Sequence, residues 1–323
     1  MWSMVLALFA IGTLVPVLVA IAFTTLLERK LMATLQLRCG PNDVGPSGLL
    51  QPVADGVKLL LKEHSSPVSA YGLLYAVAPV FTLTMSLVIW AMLPFGVGIS
   101  IANPYAGLLL VLAASSLNVH AFVIAGWSSQ STYALLGALR SSAQLIAYEL
   151  VIGTIAISLM TVSRTLCLGG MFLGQAHCWY FVPLWPVALA LLIALLAESN
   201  RTPFDLPEAE AELVAGYNVE FSSMPFALFF LSEYSGLLSM SLFSSVLLFG
   251  IVIGEEGVGD VIGRGLLVIM GLSGLVCFLT LMAVVGRASY PRYRYDQLMG
   301  LGWKGLVPVV LLGLGCSVAL ARC

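Results

Sequence analysis

The stretch LRSSAQLIAYELVIGTIAISLMTV, residues 139–162, decides how the rest of the chain is read. It is mostly apolar and long enough to cross the hydrocarbon core of a bilayer, which takes about 20 residues of helix. Yet it holds an acid, Glu149, well inside its length. Seven further stretches have a span's length and apolarity: 2–27, 68–95, 104–127, 180–198, 221–253, 265–286 and 305–321. Composition agrees: hydrophobic residues make up 60% and charged residues 9% of the chain, against roughly 45–50% and 25% in soluble domains. Mean hydropathy is +1.01. The sequence therefore predicts an all-α polytopic membrane protein, a single integral membrane domain over residues 1–323 with eight transmembrane helices.

The first span has no Lys or Arg before Arg29 and exceeds a signal-peptide core, so it reads as a retained helix. Orientation follows from the cations, because basic loops resist translocation. The connections after spans 1, 3, 5 and 7 (loops 28–67, 128–138, 199–219 and 287–304, with their borders) hold eleven: Arg29, Lys30, Arg38, Lys58, Lys62, Arg140, Arg201, Arg287, Arg292, Arg294 and Lys304. The other side holds three, Arg164, Arg264 and Arg322, which puts the basic loops inside and both termini outside.

Several chemistries are disfavoured at once. A net charge of −2 gives no basic face for nucleic acid. The six cysteines contain no C-x-x-C pair, which argues against zinc or iron–sulfur ligation. Cys167 and Cys178 share an outer loop and are candidates for pairing, with free thiols the simpler reading. Of three histidines only His120 lies in a span, so no bis-histidine haem site can be built. Any electron transfer must involve a cofactor held by another chain or a substrate that is itself redox-active.

The chemistry concentrates in the inner connections. In residues 28–63 a Gly and Pro run from Gly40 to Gly48 predicts a turn-rich hinge, and Pro52 sits where a helix would start. Val53, Val57, Leu60 and Leu61 then recur at helical spacing opposite Asp55, Lys58 and Lys62, the pattern of an amphipathic helix at the interface after the first span. The last inner connection alternates Arg292, Tyr293, Arg294 and Tyr295. Such residues are ordinary on the positive side of a membrane, but Arg also stacks on rings and donates paired bonds, which suits a polar aromatic head group or an acidic partner.

The third inner connection, AESNRTPFDLPEAEAELVAGYNVEF at 197–221, carries six of the chain's 16 acids: Glu198, Asp205, Glu208, Glu210, Glu212 and Glu220. Asp205-x-x-Glu208 matches a capping box at the start of a short helix. Glu208 and Glu212, four apart, would repel on one helix face with Glu210 close by, an arrangement stability alone does not favour. Glu198 is expected to end helix 5 and Glu220 to begin helix 6, about 20 Å before Glu233 on an ideal helix. Pro225 and the Ser235–Gly236 pair are expected to kink or unwind that helix. Acids within spans usually face the bundle interior and belong to proton or ion paths. Gly153 and Ala156 offer close packing beside Glu149, which is expected to point inward. Together these acids, held at graded depth, read as a relay.

Six stretches resemble a known family: ERK at 28–30, RCGPNDVGPSGLLQPVADGVKLLLKE at 38–63, WSSQSTYALLGALRSSAQLIAYEL at 127–150, residues 197–221 as quoted, FALFFLSEY at 226–234 and YPRYRYDQLM at 290–299. They are similar to NADH-ubiquinone oxidoreductase chain 1, the quinone-site membrane subunit of respiratory complex I, across all four inner connections and in order. The resemblance implies a proton-pumping NADH:ubiquinone reductase in which this chain shapes the chamber that ubiquinone enters from lipid. Ubiquinone would be its substrate, with FMN and iron–sulfur clusters in partner subunits. Those partners would include the hydrophilic quinone-site and terminal iron–sulfur subunits, small membrane-arm subunits and lipid. By motif, Arg29, Asp55, Arg201, Asp205, Arg287, Arg292, Arg294 and Asp296 fall to the quinone chamber, and Glu28 falls to the chamber or the path beyond it. Glu149, Glu198, Glu208, Glu210, Glu212, Glu220 and Glu233 fall to the acidic path toward the pumping subunits.

Two other readings account for part of the pattern. A proton-coupled secondary transporter would carry intramembrane acids, but transporters often show internal repeats and paired broken helices, and only helix 6 invites a break. The membrane subunit of a related hydrogenase-type complex would keep the acidic loop and is expected to lose the pattern around Asp55 and YPRYRYDQLM, which is intact. Minimal loops and extreme apolarity suit a mitochondrial inner-membrane protein, with a bacterial plasma membrane as the alternative.

Overall fold

A computed structural model describes residues 2–96, 100–175, 178–205, 216–250 and 261–322. Glu208, Glu210 and Glu212, and with them the capping box expected at Asp205-x-x-Glu208, lie outside the described residues. A chain in lipid must satisfy its backbone polar groups internally, and the apolar stretches accordingly fold as helices. There are eleven α-helices and no strand among the described residues. They are α1 (Trp2–Leu35), α2 (Gln51–Leu61), α3 (Gly72–Met92), α4 (Gly107–Ser128), α5 (Thr132–Ser163) and α6 (Leu168–Leu173), then α7 (Trp185–Glu198), α8 (Ser223–Leu248), α9 (Val261–Ser289), α10 (Tyr295–Gly300) and α11 (Val307–Arg322). A π-helical turn, Leu301–Leu306, joins α10 to α11.

Among the described residues, six helices are long and apolar enough to cross a membrane: α3, α4, α5, α8, Val268–Ser289 of α9, and the continuous run Tyr295–Leu320. The fifth expected span is shorter than its apolar stretch, because α7 has 14 residues, about 21 Å of helix against a core of roughly 30 Å. Pro186 in its first turn sets where it begins. The hydroxyls within the spans return to carbonyls of the preceding turn, as Ser86 does to Leu83 and Ser232 to Phe229, so their polarity is met within their own helix.

Five helices close into a ring: α3 packs on α4, α4 on α5, α5 on α7, α7 on α8, and α8 returns to α3. Around it, α1 and α9 lie against α8, α11 lies against α5 and α7, and α2 bridges α1 and α8. Two apolar clusters fill the ring at different heights. Near the basic end, Tyr75, Ala78, Phe122, Ala138, Tyr217 and Phe229 pack together. Toward the other end, Ile89, Trp90, Val111, Ile152, Leu191 and Leu242 belong to the larger cluster. Between them each helix turns polar groups inward, among them Ser86, Ser115, Glu149, Glu198 and Glu233.

The hinge before α2 forms as expected. Gly48 has φ 74, and a Cβ there would stand 2.2 Å from the Pro41 carbonyl oxygen, so the turn needs glycine. Ser223 accounts for the placement of α2: its hydroxyl donates to the carbonyls of Lys62 (2.8 Å) and Leu59 (3.1 Å), pinning the end of α2 to the start of α8.

Four expectations are corrected. Helix α8 runs unbroken through Ser235–Gly236, where Ser235 Oγ accepts from the Trp90 indole N–H at 3.0 Å and a Cβ on Gly236 would meet open space. Pro225 sits in the first turn, where no intrahelical N–H is needed. Glu220 lies in the turn before α8 and not on it, so helical rise does not measure its separation from Glu233. Gly153 meets open space and mediates no close packing, while Ala156 is buried. Of the two readings of Cys167 and Cys178, the simpler one holds: both are free thiols.

Candidate functional site: an ion cluster beside an acidic cavity

Residues distant in sequence converge at the basic end of α8. Glu28, on α1 and 4% exposed, accepts from the Arg287 guanidinium of α9 and lies 3.6 Å from Arg201 Nη1. Its other oxygen accepts from the Tyr234 hydroxyl at 2.8 Å. Arg201 lies over the Tyr234 ring, 4.1 Å from its centroid, a cation–π contact that gains from exclusion of water. Asp205, also buried, pairs with the half-exposed Arg292 at 3.7 Å. The order of this cluster depends on the loop after α7, and buried Gln144 of α5 holds that loop by donating to the carbonyls of Ala197 and Phe204, both at 2.8 Å. Tyr293 completes the clamp: its ring stacks on Phe204 at 5.7 Å and its N–H donates to the Pro203 carbonyl.

Beside this cluster a cleft of about 340 Å³ opens between α1, α2 and α8. Its walls are Ile21, Ala22, Leu59, Phe226, Phe230 and Leu231, with Arg29, Asp55 and Tyr234 as polar groups. Arg29 and Asp55 pair at 2.7 Å, and Gln51 Nε2 donates to Asp55 at 3.0 Å. The apolar side chains Val53, Val57, Leu60 and Leu61 of α2 are all exposed. The acid thus faces the cleft while the apolar side of α2 faces outward.

On the other side of α8, the ring of helices encloses a cavity of about 50 Å³, enough for a few water molecules. All five ring helices line it. It brings together Glu149, Glu198 and Glu233 with Ser86, Ser115, Asn118 and Ser232. Ser115 Oγ approaches Glu149 at 3.5 Å, and Glu149 and Glu198 are close enough to interact electrostatically. No Lys, Arg or His lines the cavity among the described residues. Glu233 also feels Arg201, Asp205 and Arg287, so it stands between the cavity and the ion cluster.

The remaining predicted residues lie apart. Glu220 is half-exposed, and its backbone carbonyl accepts from Tyr75 at 2.6 Å. Arg294 and Asp296 are exposed at the first turn of α10, outside the cluster. Tyr234, Gln144 and Tyr217 belong to the site and were missed by sequence reasoning. Tyr234 alone left a signal, as the immediate neighbour of an acid within a span.

A buried ion cluster thus adjoins an acid-lined cavity inside a bundle whose helices are long and apolar enough to cross a membrane. The pattern of the NADH dehydrogenase family matches residues 8–318, and the chain belongs to that family. It is 49% identical over 302 residues to NADH-ubiquinone oxidoreductase chain 1 of Arabidopsis thaliana, covering 93% of this chain and 92% of that protein. Identity is 47% over 299 residues to the protein of the same name from Dictyostelium citrinum, covering 93% and 88%. To an NADH-quinone oxidoreductase subunit of Paramagnetospirillum magneticum it is 46% over 311 residues, covering 96% and 90%.

Proposed function

We propose that this chain, a core membrane subunit of NADH:quinone oxidoreductase, forms the wall of the ubiquinone chamber and the start of the acidic path that couples quinone reduction to proton translocation. One observation carries the reading: adjacent residues of α8 face different compartments, Tyr234 the apolar cleft and Glu233 the acidic cavity. An amphiphile with an apolar tail and a polar head fits a cleft of apolar walls with a few convergent polar groups. Charge appearing on the head group is felt by Arg201 and Arg287, and through them by Glu233. Glu198 and Glu149 continue the path, and Glu208, Glu210, Glu212 and Glu220 feed it from the loop. Arg29, Asp55, Asp205 and Arg292 line the chamber or fix its loops, and Glu28 holds its two arginines in place. Arg294 and Asp296, exposed on α10, suit docking of the hydrophilic partner subunits that hold the terminal iron–sulfur cluster.

In this reading the chain crosses the membrane eight times, through α1, α3, α4, α5, α7, α8, α9 and the continuous α10–α11 helix. Helix α2 lies at the interface on its exposed valines and leucines, and the basic connections face the mitochondrial matrix, or the cytoplasm of a bacterium. No redox cofactor belongs to the chain itself. FMN and iron–sulfur clusters reside in partner subunits.

The test is a native gel of mildly solubilised membranes, stained for NADH dehydrogenase activity and probed for this chain. Co-migration with an active band whose quinone reduction is blocked by quinone-site inhibitors is expected. Migration alone, with ion transport on reconstitution, would overturn the quinone roles.

A further inference from the structure

We infer that Tyr217 is a positioning residue for Glu233, tying the charge of that carboxyl to the segment arriving from the acidic loop; this rests on the proton-path reading above. Tyr217 is 1% exposed and sits in the short turn Gly216–Asn218, directly after residues 206–215. Its hydroxyl donates to Glu233 Oε1 at 2.6 Å. The ring is held from two sides, by Phe122 of α4 at 5.0 Å and Phe229 of α8 at 5.5 Å, both edge-on. The backbone is held from a third: a Cβ on Gly137 of α5 would stand 2.7 Å from Gly216 Cα, so only glycine lets the turn lie directly on that helix. With ring and backbone both held, the hydroxyl is aimed at Glu233.

A buried tyrosine hydroxyl needs some partner, and a carbonyl would satisfy it. Here the partner is a carboxyl that lines the cavity and also faces Arg201, Asp205 and Arg287. A phenol bonded to an ionised carboxylate is held more strongly than one bonded to a protonated carboxyl. The grip on the turn therefore changes when Glu233 gains or loses a proton. By linkage, displacing the turn must change proton binding at Glu233 by the same factor. Tyr75 anchors the far end of the same segment through the Glu220 carbonyl, so a displacement of the turn Gly216–Asn218 reaches the cavity through the Tyr217 hydroxyl.

The test uses the complete complex in sealed vesicles with Tyr217→Phe, which keeps the ring and removes the donor. NADH oxidation by a hydrophilic acceptor that bypasses quinone should stay at the parental level, while coupled quinone reduction falls about tenfold, the usual weight of a hydrogen bond to a charged group. Its pH profile should be displaced from the parental one. Adding Tyr217→Phe to Glu233→Gln should cost nothing beyond Glu233→Gln alone, since the carboxylate it acts through is already gone. Normal turnover in Tyr217→Phe, or losses that multiply in the double variant, would overturn the inference while leaving the path intact. Normal pumping in Glu233→Gln would sink the path reading itself. All rates are taken per assembled complex, so a change in the amount of complex does not mask the result.

Discussion

The ion cluster around Glu28 and the cavity around Glu149 adjoin at α8 and hold acids in opposite settings. In the cluster, Glu28 meets Arg201, Arg287 and Tyr234, and Asp205 meets Arg292. In the cavity, Glu149, Glu198 and Glu233 meet hydroxyls, amides and one another. Paired charges in a buried site resist change, since altering one strands its partner. No Lys or Arg lines the cavity among the described residues, although Glu233 also faces Arg201 and Arg287 and Glu149 faces His120. In the function proposed above, the first region is a fixed electrostatic frame, and the second is the part that responds to it.

This contrast sets the scale of what mutation should do. Glu28→Ala should have the largest effect, because it removes the buried carboxylate that two guanidiniums face. Breaking such a pair costs about 3–5 kcal/mol, and the assembled complex should be nearly absent from native gels; parental amounts would show that the cluster is no frame. Glu198→Gln should behave in the opposite way. The amide is isosteric, so the complex should assemble normally, while coupled quinone reduction drops by about 100-fold, the lower range for a positioned proton-transfer group. A melting temperature several degrees lower would instead place Glu198 in the frame.

Smaller effects are expected at the supports. Gln144→Leu takes the side-chain donor from the Phe204 carbonyl, at about 1–3 kcal/mol for an unsatisfied group, while the Ala197 carbonyl keeps the Asn200 N–H. It should lower the melting temperature and raise the quinone KM more than it lowers kcat, because it loosens the loop bearing Arg201 and not the cavity. Unchanged thermal stability would contradict that support. Arg29→Ala should be the mildest. Its pair with Asp55 is exposed, and such pairs contribute about 0–1 kcal/mol. Assembly should be unaffected, with a modest rise in quinone KM that high salt in the assay abolishes.

Much of this was legible in the chain because lipid imposes simple rules. Apolar length marks the membrane-crossing helices, and an acid such as Glu149 within one of them turns toward the bundle interior. The four inner connections also carried the family resemblance. What stayed hidden depends on the third dimension. Glu28 and Arg287 are 259 residues apart, and no local pattern says that they meet. Gln144 and Tyr217 look like ordinary polar residues of a helix and a loop until their partners are placed. Local rules also misled. Ser235–Gly236 suggested a break in α8, but the helix continues, with Ser235 accepting from Trp90 and Gly236 lining the acidic cavity. Gly153 suggested close packing and faces open space.

The most direct test of the division between frame and responsive cavity is the number of protons moved per NADH oxidised by Glu149→Gln complex reconstituted in sealed vesicles. The account predicts normal assembly, with quinone reduction slowed and proton movement suppressed. Parental quinone reduction with the parental proton yield would contradict it, and would return Glu149 to the role of a buried acid merely satisfied by its neighbours.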